Sequence, residues 1–256
     1  MKIEKSILND NLYKIDELIQ SAINLIDVNI PYFLPYFDNA INEYKNNSEM
    51  AKNTLEQEDD ISIILRRFLC DIDSEFDFEF QTKTPEKNGG TDIGILRKYS
   101  KPRHLPFCII EAKRLPTPVY NGSQQTEYVC YKSSTKQGGI ERFKTNRHGA
   151  KLPQSLMIAY IQDGSPSFWF SEVNSWIDVE ILCSSNSTIE WKEIDKLKRE
   201  YSFSQPKMTK YNSEHLRISN SNIKLSHYWI DLTQSLLHSV FYFLVWNFNL
   251  GTLPLC

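Results

Sequence analysis

The chain has 256 residues and a mass of 30.0 kDa, which fits one large domain or a core with small appendages. Hydrophobic residues make up 41% and charged residues 24%, a globular composition that excludes wholesale disorder. The net charge of −3 excludes a uniformly basic nucleic-acid coat protein, so any charge signal must come from local patches.

Residues 1–50 are predicted to form an N-terminal helical region that covers the core. Apolar residues recur at helical spacing from Leu12 to Ile23. The dipeptides Ile30-Pro31 and Leu34-Pro35 are expected to break this run, because proline disfavours helix at the residue before it. Charges throughout the first residues and five scattered cysteines without a CxxC predict a reducing, cytoplasmic location without an export signal.

Residues 51–232 are predicted to form the core. A helix is expected to begin near Asn53 or Thr54, because an apolar stripe of period 3.6 follows a run of acidic residues that suits the helix dipole. Alternating or continuous apolar runs then predict four strands. These are Phe76 to Phe80, Thr91 to Ile95, Phe107 to Lys113 and Ser155 to Gln162, with a turn over Thr84 to Gly90 and a polar loop over Lys98 to Pro106.

The second half of the core is predicted to contain a helix and a hairpin. The helix covers Phe170 to Leu182, and the hairpin covers Leu216 to Asp231 with its turn at Ser219 to Asn222. The order of helices and strands predicts a mixed α/β fold.

The segment from Thr233 to Cys256 contains no formally charged residue. Its apolar residues recur at helical spacing, which predicts a C-terminal apolar helix. Polar residues and Pro254 interrupt the run, so a membrane span is not expected. We expect this helix to pack on the core, on a partner protein or on a second copy of the chain.

Charge is distributed unevenly along the chain. Between Arg97 and Lys151 twelve Lys and Arg stand against three Glu, a local balance of +9, whereas the rest of the chain sums to −12. A basic middle within an acidic protein predicts an anionic partner at one face.

Two acidic residues lie on adjacent apolar strands, and a lysine follows the second. Asp92 lies in GTDIGI, and Glu111 and Lys113 lie in FCIIEAK. Side chains alternate along a strand, so Glu111 and Lys113 are expected on one face and Ala112 on the other. Charged groups in apolar strands need a partner, and a divalent metal can satisfy two carboxylates at once.

The Glu-x-Lys pattern alone is not specific. It occurs at Glu43-Tyr44-Lys45, Glu111-Ala112-Lys113 and Glu190-Trp191-Lys192. The middle occurrence closes an apolar strand and has Asp92 about one hairpin upstream. The other two occur in helical or polar contexts, where exposed ion pairs are expected.

With Asp92 upstream of Glu111-Ala112-Lys113, the segment resembles the core motif of the PD-(D/E)XK nuclease superfamily, which has the restriction-endonuclease-like fold. Thr91 stands where the motif's name has proline. The resemblance covers roughly residues 54–180. It implies a mixed central β-sheet flanked by helices.

The resemblance also implies an acidic residue on the first helix of the core. Glu58 is the best match, because it shares a helical face with Ile61, while Glu56 and Asp60 remain alternatives. Members often carry a glutamine on the helix after the Glu-x-Lys strand. Gln137, just before GGIERF, is the best match there. Gln124 and Gln125 compete with it.

The implied chemistry is metal-assisted hydrolysis of a phosphodiester. Asp92 and Glu111 would hold Mg²⁺, or Mn²⁺ as a substitute, together with the Ala112 carbonyl and waters. Lys113 would orient the attacking water or balance charge in the transition state. Glu58 would contact the outer shell of the metal.

Basic residues after the motif are predicted to contact nucleic acid. In IERFKTNRHG, Arg142, Lys144, Arg147 and His148 are expected to contact backbone phosphates. The resemblance implies a DNA endonuclease, with double-stranded DNA as the expected substrate, and by analogy an effector subunit of restriction or anti-phage defence. The alternative is a catalytically silent scaffold with the nuclease fold, working through partner proteins and its C-terminal helix.

Overall fold

The computed structural model describes residues 2–47, 58–72, 74–83, 90–98, 105–117, 125–131, 137–184, 188–203 and 207–233. These residues form a mixed α/β structure, in which helices flank one seven-stranded mixed sheet. No helix within these ranges is long and apolar enough to cross a membrane. Glu56, Gln124 and the apolar helix predicted after Thr233 lie outside the described residues.

Five α-helices lie within the described residues, in the following order along the chain. They are α1 (Lys2–Asn29), α2 (Phe33–Asn47), α3 (Glu58–Asp71), α4 (Gly139–Lys144) and α5 (Pro166–Cys183). A 3-10 turn at Ile30–Tyr32 separates α1 from α2, so the break predicted at Ile30-Pro31 is confirmed. The break predicted at Leu34-Pro35 is wrong. Pro35 lies in the first turn of α2, where its missing N–H would have no helical acceptor.

Seven strands form the sheet. They are β1 (Phe76–Lys83), β2 (Gly90–Arg97), β3 (Cys108–Leu115), β4 (Gln154–Ile161), β5 (Lys198–Ser202), β6 (Met208–Leu216) and β7 (Asn222–Asp231). Their spatial order is β1-β2-β3-β4-β7-β6-β5. β4 is parallel to both of its neighbours, and the remaining pairs are antiparallel. The central position of β4 explains its nearly continuous apolar sequence.

Two predicted boundaries differ from the structure, and one strand was not predicted. The hairpin consists of β6 and β7, so the predicted range omitted its first strand, whose polar sequence MTKYNSEHL hides the alternation. The short strand β5 was not predicted, because KREYS is the charged sequence of an edge strand. Helix α5 begins at Pro166 rather than at Phe170. The Ser165 hydroxyl accepts from the Phe168 amide at 3.2 Å and caps the helix.

The two faces of the sheet pack against different helices. Leu156, Ile158 and Tyr160 of β4 face the core formed with α1, α2 and α3, whereas the alternating residues between them face α4 and α5. On β3, Ala112 belongs to the first core. Glu111 and Lys113 therefore lie on the α4 side of the sheet.

A buried chain of hydrogen bonds crosses the α4 side near β6 and β7. His227 Nδ1 lies 2.8 Å from the Tyr128 hydroxyl, and His227 Nε2 lies 2.7 Å from the Ser213 hydroxyl. The same Ser213 oxygen lies 2.6 Å from His215 Nε2, and His215 Nδ1 lies 2.6 Å from Asp195 Oδ1. Burial lowers the pKa of His227 well below its usual 6.5. Burial also lowers the pKa of His215, although Asp195 opposes this effect.

Acid is expected to destabilise the fold through these histidines. Below about pH 6.5 the unfolded chain binds protons that the folded histidines resist, so each histidine steepens the loss of stability by up to about 1.4 kcal/mol per pH unit. His227→Gln should reduce stability at neutral pH yet flatten this slope. Urea unfolding at several values between about pH 7 and about pH 5 measures it. An unchanged slope in the variant would contradict the assignment.

Candidate functional site

Strands β2 and β3 separate partway along their length. Their paired residues run from Ile95 opposite Cys108 to Ile93 opposite Ile110. Beyond that pair, β2 stays paired with β1 and β3 stays paired with β4 as far as Leu115. The sheet therefore opens between β2 and β3, directly beside Asp92 and Glu111.

Carboxylates take the place of the missing strand pairing. The Ala112 amide donates to Asp92 Oδ2 at 2.6 Å, and the Arg114 amide donates to Glu58 Oε2 at 3.2 Å. Amides of alternate residues point to the same side of a strand, and a buried amide needs an acceptor. The opening is thus lined by two carboxylates that are held by the backbone of β3.

The Lys113 ammonium lies among three oxygens. Its Nζ atom is 2.8 Å from Glu58 Oε1, 2.6 Å from the Ala112 carbonyl oxygen and 3.1 Å from Glu111 Oε1. The prediction that Glu111 and Lys113 share a face is confirmed. Burial alone would lower the pKa of Lys113, but Glu111 and Glu58 outweigh it and raise the pKa above its usual value. The side chain is therefore a cation at neutral pH.

Glu111 is completely buried and is surrounded by basic groups. Its Oε1 atom also accepts from Arg142 Nη1, and His148 Nδ1 lies 3.1 Å from its Oε2 atom. Burial alone would raise the pKa of this carboxyl, but Lys113 and then Arg142 outweigh it and hold the pKa well below its usual range. Glu111 is therefore ionised.

The other two carboxylates are less easily ionised. Burial, followed by the negative charge of Glu111, raises the pKa of Asp92 well above its usual value. Burial also raises the pKa of Glu58, against the opposing effect of Lys113. Three carboxylates thus share two cations, Lys113 and Arg142, and the cluster retains a demand for further positive charge.

Local sequence brings α4 close to the Glu111 cluster. A β-carbon at Gly138 would lie 2.5 Å from the Cα atom of Cys130, so this close contact requires glycine. The Glu141 carboxylate accepts from the Gly138 amide at 3.0 Å and stabilises the start of the helix. Arg142 follows directly and reaches Glu111.

The structure brings together four of the predicted catalytic residues, which are Glu58, Asp92, Glu111 and Lys113. On α3 the contact with Lys113 is made by Glu58 rather than by Asp60. The Gln137 side chain makes a different contact. Its side-chain oxygen accepts from the Thr145 hydroxyl at 2.9 Å, near the end of α4.

Two of the predicted phosphate contacts are wrong. Lys144 is fully buried, and its ammonium donates to Asp195 at 2.6 Å, so it cannot reach a phosphate on the surface. His148 is 1% exposed and lies behind Glu111. Arg142 contacts Glu111, a role that its spacing in the sequence did not indicate. Arg147 is half-buried, and its phosphate contact stays a prediction.

The donor atoms are compatible with a hard divalent cation. Glu111 Oε2 is buried and, within the described residues, accepts no hydrogen bond of normal geometry. No three His, Cys, Asp or Glu side chains in the described ranges are arranged to hold a metal ion. Mg²⁺ is commonly bound by one or two carboxylates, with waters and substrate oxygens as the other ligands. Asp92, Glu111 and the Ala112 carbonyl therefore fit Mg²⁺ by chemistry.

Comparison of the chain with protein-family models, with curated proteins and with solved structures finds no match.

Replacement of Asp92 is expected to stabilise the protein. Asp92→Asn keeps an acceptor for the Ala112 amide but removes a carboxylate whose ionisation burial and Glu111 oppose. In chelator at neutral pH, we expect the free energy of unfolding to rise by on the order of 1 kcal/mol. The gain should disappear as the pH falls and Asp92 becomes protonated in the wild type.

The matched variant is Glu111→Gln, for which the opposite sign is expected. It leaves Lys113 and Arg142 without their shared carboxylate, so the free energy of unfolding should fall by about 3 kcal/mol. Chemical denaturation of both variants measures the two effects. A destabilised Asp92→Asn would contradict the assigned charge balance.

Proposed function

We propose that the protein is a Mg²⁺-dependent nuclease that hydrolyses phosphodiester bonds, with double-stranded DNA as the expected substrate. We further propose the restriction-endonuclease-like fold for its core. The observation that carries the proposal is the convergence of Glu58, Asp92, Glu111 and Lys113 at the opening between β2 and β3. Neither composition nor a structural ion pair explains why Asp92 joins this cluster at an energetic cost.

Asp92 and Glu111, with the Ala112 carbonyl, would hold the ion. When bound, Mg²⁺ would polarise the phosphoryl group and lower the pKa of a water ligand. Lys113 is held as an ammonium by its acidic neighbours, so it would balance charge and orient water rather than accept a proton. Glu58 would position the Lys113 ammonium through its 2.8 Å contact.

One observation favours the alternative of a catalytically silent scaffold. Glu111 is already neutralised by two cations, as expected for a structural ion cluster. In that case the cluster would stabilise the fold and would not bind a metal. Divalent-cation dependence separates the two functions.

Plasmid cleavage with Mg²⁺ or Mn²⁺ tests the proposal. We expect Lys113→Ala and Asp92→Asn to reduce the rate by about a hundredfold or more. Because Asp92→Asn is expected to remain stable, its loss of activity cannot be attributed to unfolding. Single-stranded DNA and RNA assayed in parallel identify the preferred substrate.

Lys192→Ala is the matched control. Lys192 belongs to another Glu-x-Lys sequence and pairs with Glu190 at 2.9 Å, but both side chains are about half exposed. Its replacement should leave cleavage unchanged. Cleavage that survives excess chelator or Lys113→Ala would reject the proposed site.

A further inference from the structure

Arg142 connects the buried Glu111 to the surface. Among the described basic partners of Glu111, its side chain is 24% exposed, against 3% for Lys113 and 1% for His148. Its Nε atom donates to the Gln137 carbonyl at 3.1 Å, and its Nη1 atom contacts Glu111 Oε1. Arg142 is therefore the member of this group that a ligand in solution can reach most easily.

The position of Arg142 conflicts with a metal on Glu111. A divalent cation bound there would lie close to the guanidinium, and the two positive charges would repel each other. Lys113 is less able to leave, because Glu58, which is not among the proposed metal ligands, also holds its ammonium at 2.8 Å. Arg142 can therefore move away from a metal on Glu111 more easily than Lys113 can.

A phosphodiester offers Arg142 an alternative partner. The guanidinium can donate two parallel hydrogen bonds to phosphate oxygens, a geometry that an ammonium cannot reproduce. Once Arg142 pairs with a phosphate, Glu111 loses a competing cation while the cluster keeps its three carboxylates. The affinity of the cluster for a metal must then rise.

We infer that Arg142 couples metal binding to nucleic-acid binding, because it neutralises Glu111 until a backbone phosphate engages its guanidinium. This inference rests on the proposed function and adds that the metal and the phosphodiester strengthen each other's binding through Arg142. Coupling of this kind is reciprocal, so the metal must strengthen phosphodiester binding by the same factor.

The test measures Mn²⁺ binding by the full-length protein, with electron paramagnetic resonance of the free ion as the readout. Diethyl phosphate serves as a minimal phosphodiester. We expect diethyl phosphate to tighten Mn²⁺ binding by the wild type at least about fivefold. Asp92→Asn should abolish this Mn²⁺ binding.

Arg142→Gln provides the decisive comparison. Without diethyl phosphate it should bind Mn²⁺ at least about fivefold more tightly than the wild type, and diethyl phosphate should add nothing. Lys151→Gln, which removes an exposed lysine of the same basic segment, should behave as the wild type. If Arg142→Gln does not fold, Arg142→Lys replaces it and should show a weakened response to diethyl phosphate.

The outcomes separate this inference from the proposed function. Unchanged or weaker Mn²⁺ binding by folded Arg142→Gln would overturn the inference, since Arg142 would then only orient Glu111. A full response to diethyl phosphate in Arg142→Gln or Arg142→Lys would also overturn it. Absence of any Mn²⁺ binding that depends on Asp92, with or without diethyl phosphate, would reject the nuclease site itself.

Discussion

The separation of β2 from β3 is the constraint on which the candidate site depends. Where the two strands stop pairing, β3 presents amides that need acceptors, and the carboxylates of Asp92 and Glu58 supply them. The hydrogen bonds from the Ala112 and Arg114 amides hold these two carboxylates beside β3. Glu58 and Asp92 beside this opening are partly exposed, whereas Glu111 is fully buried.

One carboxylate of the cluster, that of Asp92, opposes stability. Glu111 is ionised because Lys113 and Arg142 neutralise it, whereas the pKa of Asp92 is raised by burial and by Glu111. A fold selected for stability alone would have no use for a carboxylate at position 92, since an amide could accept the same hydrogen bond. Retained charge of this kind is typical of sites that bind a cation or transfer a proton.

The sequence predicted those parts of the site that depend on local alternation. Glu111 and Lys113 are two residues apart on one strand, so their shared face follows from strand geometry. Arg142 meets Glu111 across 31 residues, and Lys144 meets Asp195 across 51 residues. No periodicity encodes such contacts, which depend on how α4 packs on the sheet. The polar strand β6 was missed for the same reason. Its Ser213 and His215 are buried polar residues that hydrogen-bond to each other, so the strand has no apolar alternation to reveal it.

Buried ion pairs reduce the charge that the basic window, the segment from Arg97 to Lys151, presents at the surface. Lys113 and Lys144 pair with Glu58 and Asp195, two acids outside the window, so part of its +9 balance is cancelled inside the protein. Formal charge along a sequence therefore overstates the charge that a phosphate backbone can meet. Helix α4 carries both kinds of basic residue, since Lys144 is fully buried whereas Arg142 is partly exposed. Under the proposed function, attraction for nucleic acid near the cluster would depend less on the number of basic residues than on the few that are partly exposed, such as Arg142.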